Sequence, residues 1–394
     1  MDLRLCEWGD DVSMPLIYLD HNATTPLDPE VFEAMRPWFM ERFGNASSAY
    51  ALGHLSDGAV VAAREQVAAL VGCTPAEIVF TSGGTESLNH AFRGAWEAFP
   101  MKRHLVATTV EHPAVRALVL WWKGQGGTVS DVGVDGEGRL DLAALEHAVR
   151  TDTALVAVMA ANNESGVLFP VAEAGRVAKA RGALFLVDAT QAAGKVAVDA
   201  VAWGADLVCL SGHKFHGPKG TGMLMIRRGV RLKPLMLGGS QERGRRGGTE
   251  NVPGLVGLGK AAELALARLP VMTRVQRLRD AFEARLHTEI PDLRIHGAEA
   301  NRLPNTSLVG FAGIEGEALQ LKLAEQGICV STGSACSTGM REPSHVLRAM
   351  GVPDPYAHGT VRFSLGLGTT EDQITRVGDL LPGLLAELQS LFRS

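Results

Sequence analysis

The chain has 394 residues, 46% of them hydrophobic and 21% charged, with a formal net charge of −5. That length leaves room for two domains and a large core, and the balance is that of a soluble α/β enzyme; it excludes a disordered chain and an extended nucleic-acid surface. No stretch reaches the roughly 18 apolar residues of a membrane span, and acids among Met1 to Asp11 replace the positive charge of an export signal, so a cytoplasmic protein without membrane contact is expected.

Strand-like apolar runs alternate with helical patterns through the first two-thirds of the chain, which implies a mainly parallel sheet between helices. Tyr18 to Pro26 reads as a short strand breaking into a polar turn, followed by a helix over Pro29 to Phe39. Ala59 to Val71 is an Ala/Val-rich packing helix. Next come a strand over Glu77 to Phe80, the glycine turn Thr81-Ser-Gly-Gly-Thr-Glu-Ser87 and a helix from Leu88 to Ala98. Free N–H groups and the positive end of a helix suit a phosphate there, although such a turn also serves as a plain cap. His104 to Val110 is a strand leading to Glu111 and His112, and Leu140 to Val149 is an amphipathic helix. The strand Ala154 to Met159 delivers the pair Asn162 and Asn163, and the helix Pro170 to Arg181 crosses over to a strand ending on Asp188, with Gln191 just beyond.

The apolar run Asp206 to Leu210 then breaks into Ser211-Gly-His-Lys-Phe-His-Gly-Pro-Lys-Gly-Thr-Gly222 before a second run, Met223 to Ile226. Such a loop holds Lys214 at a sheet edge, where desolvation can strip its proton. A carboxylate at one strand end and a lysine on a nearby strand-end loop are what pyridoxal 5'-phosphate requires: the amine forms an imine with the aldehyde, and the carboxylate keeps the ring nitrogen protonated. Gly238 to Asn251 is a glycine-laced basic loop. After Pro253 the pattern changes to long helices, Gly254 to Leu269 and Val271 to Glu289, and then to a smaller α+β unit containing Asn305 to Phe311, Glu315 to Gln326, Ile328 to Val330, Gly359 to Leu365 and a helix over Thr370 to Phe392. An arm over 1–20 packing on the small domain, a large cofactor domain over 21–262 and a small domain over 263–394 are expected.

Five cysteines without CxxC spacing indicate neither a disulfide framework nor a zinc cage, and no metal is expected. Cys209 sits in an apolar strand and reads as core. Cys336, in Val330-Ser-Thr-Gly-Ser-Ala-Cys-Ser-Thr-Gly-Met340, lies among small residues and is expected on a moving loop between Val330 and a helix over Pro343 to Met350. No Lys or Arg adjoins it to lower its pKa, so its proton is expected to leave only when substrate and His112 are close.

Together these motifs resemble the class V, fold-type I pyridoxal-phosphate enzymes, and within them the cysteine desulfurases of the NifS/IscS type, from about Tyr18 to Thr370. The resemblance implies a large domain with a seven-stranded-type sheet. It implies Gly84, Thr85, Ser211 and His213 at the cofactor phosphate and Asp188 at the ring nitrogen. It further implies His112 stacked on the ring and moving protons, Asn163 and Gln191 near the phenolic oxygen, and Lys214 in the imine. Asn22, with Ala23 and Thr24, borders the substrate pocket, Asn163 also serves the substrate, and Arg362 grips the substrate carboxylate with both prongs of its fork. Thr249 crosses to the partner's phosphate in a homodimer. Cys336 is the nucleophile that takes sulfur from L-cysteine as a persulfide, releases L-alanine and passes sulfur to an iron–sulfur scaffold protein.

The stretch Gln241 to Arg246 and the end of the chain soon after its last helix lean toward the nitrogen-fixation branch, which supplies nitrogenase clusters. One departure stands out: Leu367 and Gly368 occupy positions where the family often has arginine and an aromatic residue. A selenocysteine lyase or another class V transaminase or lyase shares the scaffold, and a silent pyridoxal-binding persulfide carrier is the non-enzymatic alternative.

Overall fold

The structure, a computed structural model, describes residues 16–332 and 343–392. Its centre is a seven-stranded sheet in the spatial order Ile78–Thr81, Gly222–Ile226, Leu207–Ser211, Leu184–Asp188, Thr153–Met159, His104–Thr108, Thr128–Val132. Only Gly222–Ile226 runs against the rest. The mainly parallel sheet between helices is therefore as expected. Every residue of Thr153–Met159 is buried, as a central parallel strand covered on both faces requires.

Helices close both faces. Ala51–Val71 packs on Val252–Arg268 through small residues: a Cβ on Gly259 would lie 2.7 Å from the Ala63 Cα, so glycine there lets the two backbones approach. The helix expected from Ala59 begins eight residues earlier, at Ala51. The one expected over Pro29 to Phe39 is two, Pro29–Met35 and Pro37–Met40, because Pro37 starts a new first turn. The glycine-turn helix begins at Gly84 and not at Leu88.

A three-stranded antiparallel sheet has Thr306–Phe311 at its centre, between Leu293–Ile295 and Thr360–Ser364. Ile17–Tyr18 pairs in parallel with Ile328–Cys329, and Asp20 bridges to Ser364, which ties the start of the described chain to this unit. Its own apolar cluster includes Ile17, Leu19, Phe282, Phe311, Phe363 and Leu381, with the Phe282 and Phe363 rings edge to face at 5.2 Å. Burying each such side chain contributes roughly 1.5–3 kcal/mol. The larger cluster around the seven-stranded sheet also takes in Leu308, Val346 and Met350, so the two parts share a packed seam. Among the described residues no helix is long and apolar enough to cross a membrane.

Candidate active site

Thr81, Thr108, Met159, Asp188 and Ser211 end strands that point the same way, so the loops that follow gather at one edge of the sheet, where parallel α/β sheets bind ligands. A cavity of about 710 Å³ opens there. Gly84, Thr85, His112, Asn163, Asp188, Gln191, Ser211, His213 and Lys214 line it from the large sheet, and Asn22 and Arg362 from the opposite side. Thr249 is exposed and is not part of this chain's cleft lining. Cys336 lies outside the described residues, while Thr332 and Pro343 both line the cleft.

Lys214 closes a short turn, Gly212–Lys214, after its strand. Its Nζ donates to the backbone oxygens of Asn22 at 2.6 Å and Ala23 at 2.8 Å. Burial, reinforced by the Arg362 charge, lowers its pKa to about 8, with Asp188 and Asp20 opposing. A share of the amine is therefore unprotonated near neutrality, the state needed for attack on an aldehyde. Asp188, 8% exposed, accepts from Thr190 N at 3.0 Å. Its charge, after burial, helps push the adjacent Cys209 thiol up, and Cys209 is fully buried core, as expected.

The helix Gly84–Ala98 starts from Gly83 at φ +152°, a conformation essentially open only to glycine. Its first intrahelical bond is Ser87 N to Gly83 O at 3.1 Å, so the N–H groups of Gly84 and Thr85 precede the helix ladder. The Ser211 hydroxyl lies 3.6 Å from where a Gly83 Cβ would stand, and the buried Thr190 Oγ1, without a hydrogen-bond partner among the described residues, lies 3.3 Å from a Cβ built on Gly84. Two glycines, free N–H groups, a hydroxyl and an orphaned buried oxygen make a cradle that suits a phosphate. With the Asp188 carboxylate and the Lys214 amine on the same cleft, the residues present fit a phosphorylated pyridine aldehyde.

His112 caps the helix Pro113–Gly124, its Nδ1 accepting Ala114 N at 3.1 Å. Burial lowers its pKa, against the pull of Asp188. His213 meets Thr24 Oγ1 at 3.1 Å and falls to about 4, through burial first and then Lys214. Arg362 donates to Asp20 Oδ1 at 2.7 Å and to Asn163 O at 2.8 Å, and its buried Nε has no partner among the described residues. The Asn22 side chain is fully engaged: it donates to Thr306 Oγ1 at 2.9 Å and accepts from Lys195 Nζ and Asn305 Nδ2, each at 3.1 Å.

Several residues in the cleft or next to its lining carried no sequence signal of their role. Lys195, buried and without a carboxylate partner among its hydrogen bonds, bridges Asn22 Oδ1 and Gln191 Oε1, the latter at 2.7 Å; burial drives its pKa far down. Its spacing of four from Gln191 was the one available hint. Glu111 is sealed: Oε1 accepts from Thr108 Oγ1 and Met159 N, Oε2 is buried without a partner, and burial lifts its pKa to about 8. Glu164, raised to about 7 by burial, takes a 2.5 Å hydrogen bond from Ser344. His345, beside Ser344, lines the cleft with Nε2 2.9 Å from Glu111 O.

The aminotransferase class-V family pattern matches residues 17–377. A cysteine desulfurase of Trichormus azollae is 52% identical over 379 residues, covering 96% of this chain and 95% of that protein. The cysteine desulfurase NifS of Azotobacter vinelandii is 47% identical over 377 residues, covering 95% and 94%. A solved structure titled NifS-like protein superposes with a TM-score of 0.89 at 39% identity, covering 95% of this chain and 100% of that one.

Proposed function

The chain belongs to the aminotransferase class-V family, and from that premise we propose that it is a cysteine desulfurase, which converts L-cysteine to L-alanine and keeps the sulfur as an enzyme persulfide. The observation that carries this reading is the Lys214 amine, its pKa lowered by burial, on one cleft with Asp188, Arg362 and the phosphate cradle. Pyridoxal phosphate, the cofactor of this enzyme class, supplies an aldehyde for the lysine and a ring that accepts electrons from the substrate α-carbon.

Gly84, Thr85, Ser211 and His213 would hold its phosphate, Asp188 its ring nitrogen, His112 its face, and Asn163 and Gln191 its phenolic oxygen. The Arg362 guanidinium leaves Asp20 for the substrate carboxylate and so orients the amino acid. The Lys214 amine takes the α-proton, a task its lowered pKa suits. Cys336 attacks the substrate sulfur, which divides one difficult abstraction into two smaller steps.

In this reading Thr249 completes the partner's phosphate site, so the active species is a homodimer. The chain divides near residues 20 and 262, consistent with the separate apolar cluster of the small unit. The persulfide goes to an iron–sulfur scaffold protein in the cytoplasm, for nitrogenase clusters, a role supported by likeness to the A. vinelandii protein. The test is alanine formation by the purified protein and its Cys336→Ala form, with L-cysteine and L-selenocysteine side by side. Alanine from wild type with L-cysteine and only background from the variant is expected. A wild type that releases none from either substrate overturns the reading, and an undiminished variant removes Cys336 from it.

A further inference from the structure

The cleft holds two imidazoles whose hydrogen bonds force opposite tautomers on them. A backbone N–H can only donate, so His112 Nδ1, which receives Ala114 N–H at 3.1 Å, keeps its lone pair, and the neutral ring carries its hydrogen on Nε2. A backbone carbonyl can only accept, so His345 Nε2, 2.9 Å from the Glu111 oxygen, carries the hydrogen and leaves the lone pair on Nδ1. Both rings line the same cleft. His112 is thus poised to donate, whereas His345 is poised to accept.

We propose that His345 Nδ1 is the base that takes the proton of the attacking thiol during sulfur transfer, with His112 Nε2–H as a donor on the same cleft. The assignment rests on the desulfurase reading and departs from the expectation that His112 would take that proton. For His112 to become a base it must use Nδ1, and that atom caps the helix Pro113–Gly124. Among the described residues His345 has no such obligation at Nδ1.

The groups around His345 support the role. Arg116 and Arg348 are cations that add to burial in holding its pKa down, so the ring is neutral when the thiol arrives. The His345 charge adds to the lowering of the His112 pKa, and burial keeps the Glu111 carboxyl protonated near neutrality. Glu164 is engaged by Ser344, one residue before His345. In the transfer the thiol hydrogen passes to Nδ1 as the sulfur–sulfur bond forms. The carbon–sulfur bond of L-cysteine breaks, its electron pair stays with carbon, and carbon takes up a proton. Each of the two sulfurs is oxidised by one electron as that carbon is reduced by two, so the step balances without another oxidant.

The test uses the pyridoxal-phosphate-loaded protein and its His345→Gln form. Glutamine keeps an N–H for the Glu111 oxygen but offers no nitrogen lone pair. The expected result is a kcat for alanine lower by about 100-fold, with the cofactor absorbance and KM for L-cysteine little changed and the acidic limb of the kcat profile lost. Nitrogen-15 spectra of ring-labelled wild type, with His345 assigned by its loss in the variant or by its coupling to Glu111, should show hydrogen on Nε2 and a bare Nδ1. A variant within about threefold of an active wild type overturns the proposal and leaves the desulfurase reading standing. A hydrogen on Nδ1 of neutral His345 overturns it even if the variant fails to fold. A wild type that makes no alanine overturns both, which separates the two failures.

Discussion

The two walls of the cleft position their groups by different means. On the large-sheet side Asp188, Lys214, His112, Asn163 and Gly84 follow strand ends whose register is set by backbone ladders, Met159 opposite Asp188 and Asp188 opposite Cys209. On the other side Arg362 sits mid-strand, and its aim is set by side-chain and carbonyl partners, Asp20 and Asn163 O. A ladder holds its geometry whatever the side chains do; an ion pair has to be exchanged for substrate. The first wall should therefore respond to mutation by losing chemistry, and the second by shifting affinity.

The largest effect expected from breaking that contrast is at Lys214. Lys214→Ala should lower alanine formation by about 10³-fold or more and abolish borohydride-fixed cofactor label at position 214, read by mass spectrometry. A variant that kept a tenth of the activity, by about that margin, would sink the first wall's assignment. Next is Arg362→Ala, expected to raise KM for L-cysteine about 10- to 100-fold with a smaller change in kcat, since it removes charge-assisted bonds to the substrate carboxylate. A fall in kcat at constant KM would place Arg362 in the chemistry instead.

Asp20→Asn sharpens the comparison at a smaller scale. If Asp20 competes with the substrate for the guanidinium, KM should drop about two- to fivefold; a rise would mean that Asp20 aims Arg362 and does not merely occupy it. The last effect is on stability and not on rate. Glu111 has its folded pKa raised from 4.5 to about 8, so the native state binds the extra proton. Its contribution is full below the unfolded value and is lost as pH rises through the folded one. Urea unfolding of wild type should therefore lose stability between those pH values, by at most about 1.4 kcal/mol per pH unit from this group. Glu111→Gln should flatten that slope, and an unchanged slope would show that the carboxyl is already ionised.

Legibility followed the same divide. Asp188 and Lys214 could be read because fully apolar runs such as Leu184–Asp188 and Leu207–Ser211 end abruptly on polar residues. The edge strand Thr128–Val132 was hidden because four of its five residues are exposed or half-buried and it carries no apolar run. The start of Ala51–Val71 was missed because Gly53, Asp57 and Gly58 blur its pattern. Gly83 and Gly84 disguised the first turn of their helix as loop. His345 carried no local mark and Lys195 only its spacing of four from Gln191, since what gives them meaning is an amide oxygen or a carbonyl distant in the chain.

By itself the sequence determined the alternation of strands and helices, the lysine and acid at neighbouring strand ends, and the glycine turn, because each follows from local periodicity and local backbone freedom. Tertiary structure alone decided which nitrogen of His112 and of His345 carries the hydrogen, that Asp20 holds Arg362, and that Glu111 and Lys195 are buried. Those properties depend on burial and on partners brought from up to 342 positions away, as in the Asp20–Arg362 pair, and such distances leave no trace in a short window of residues.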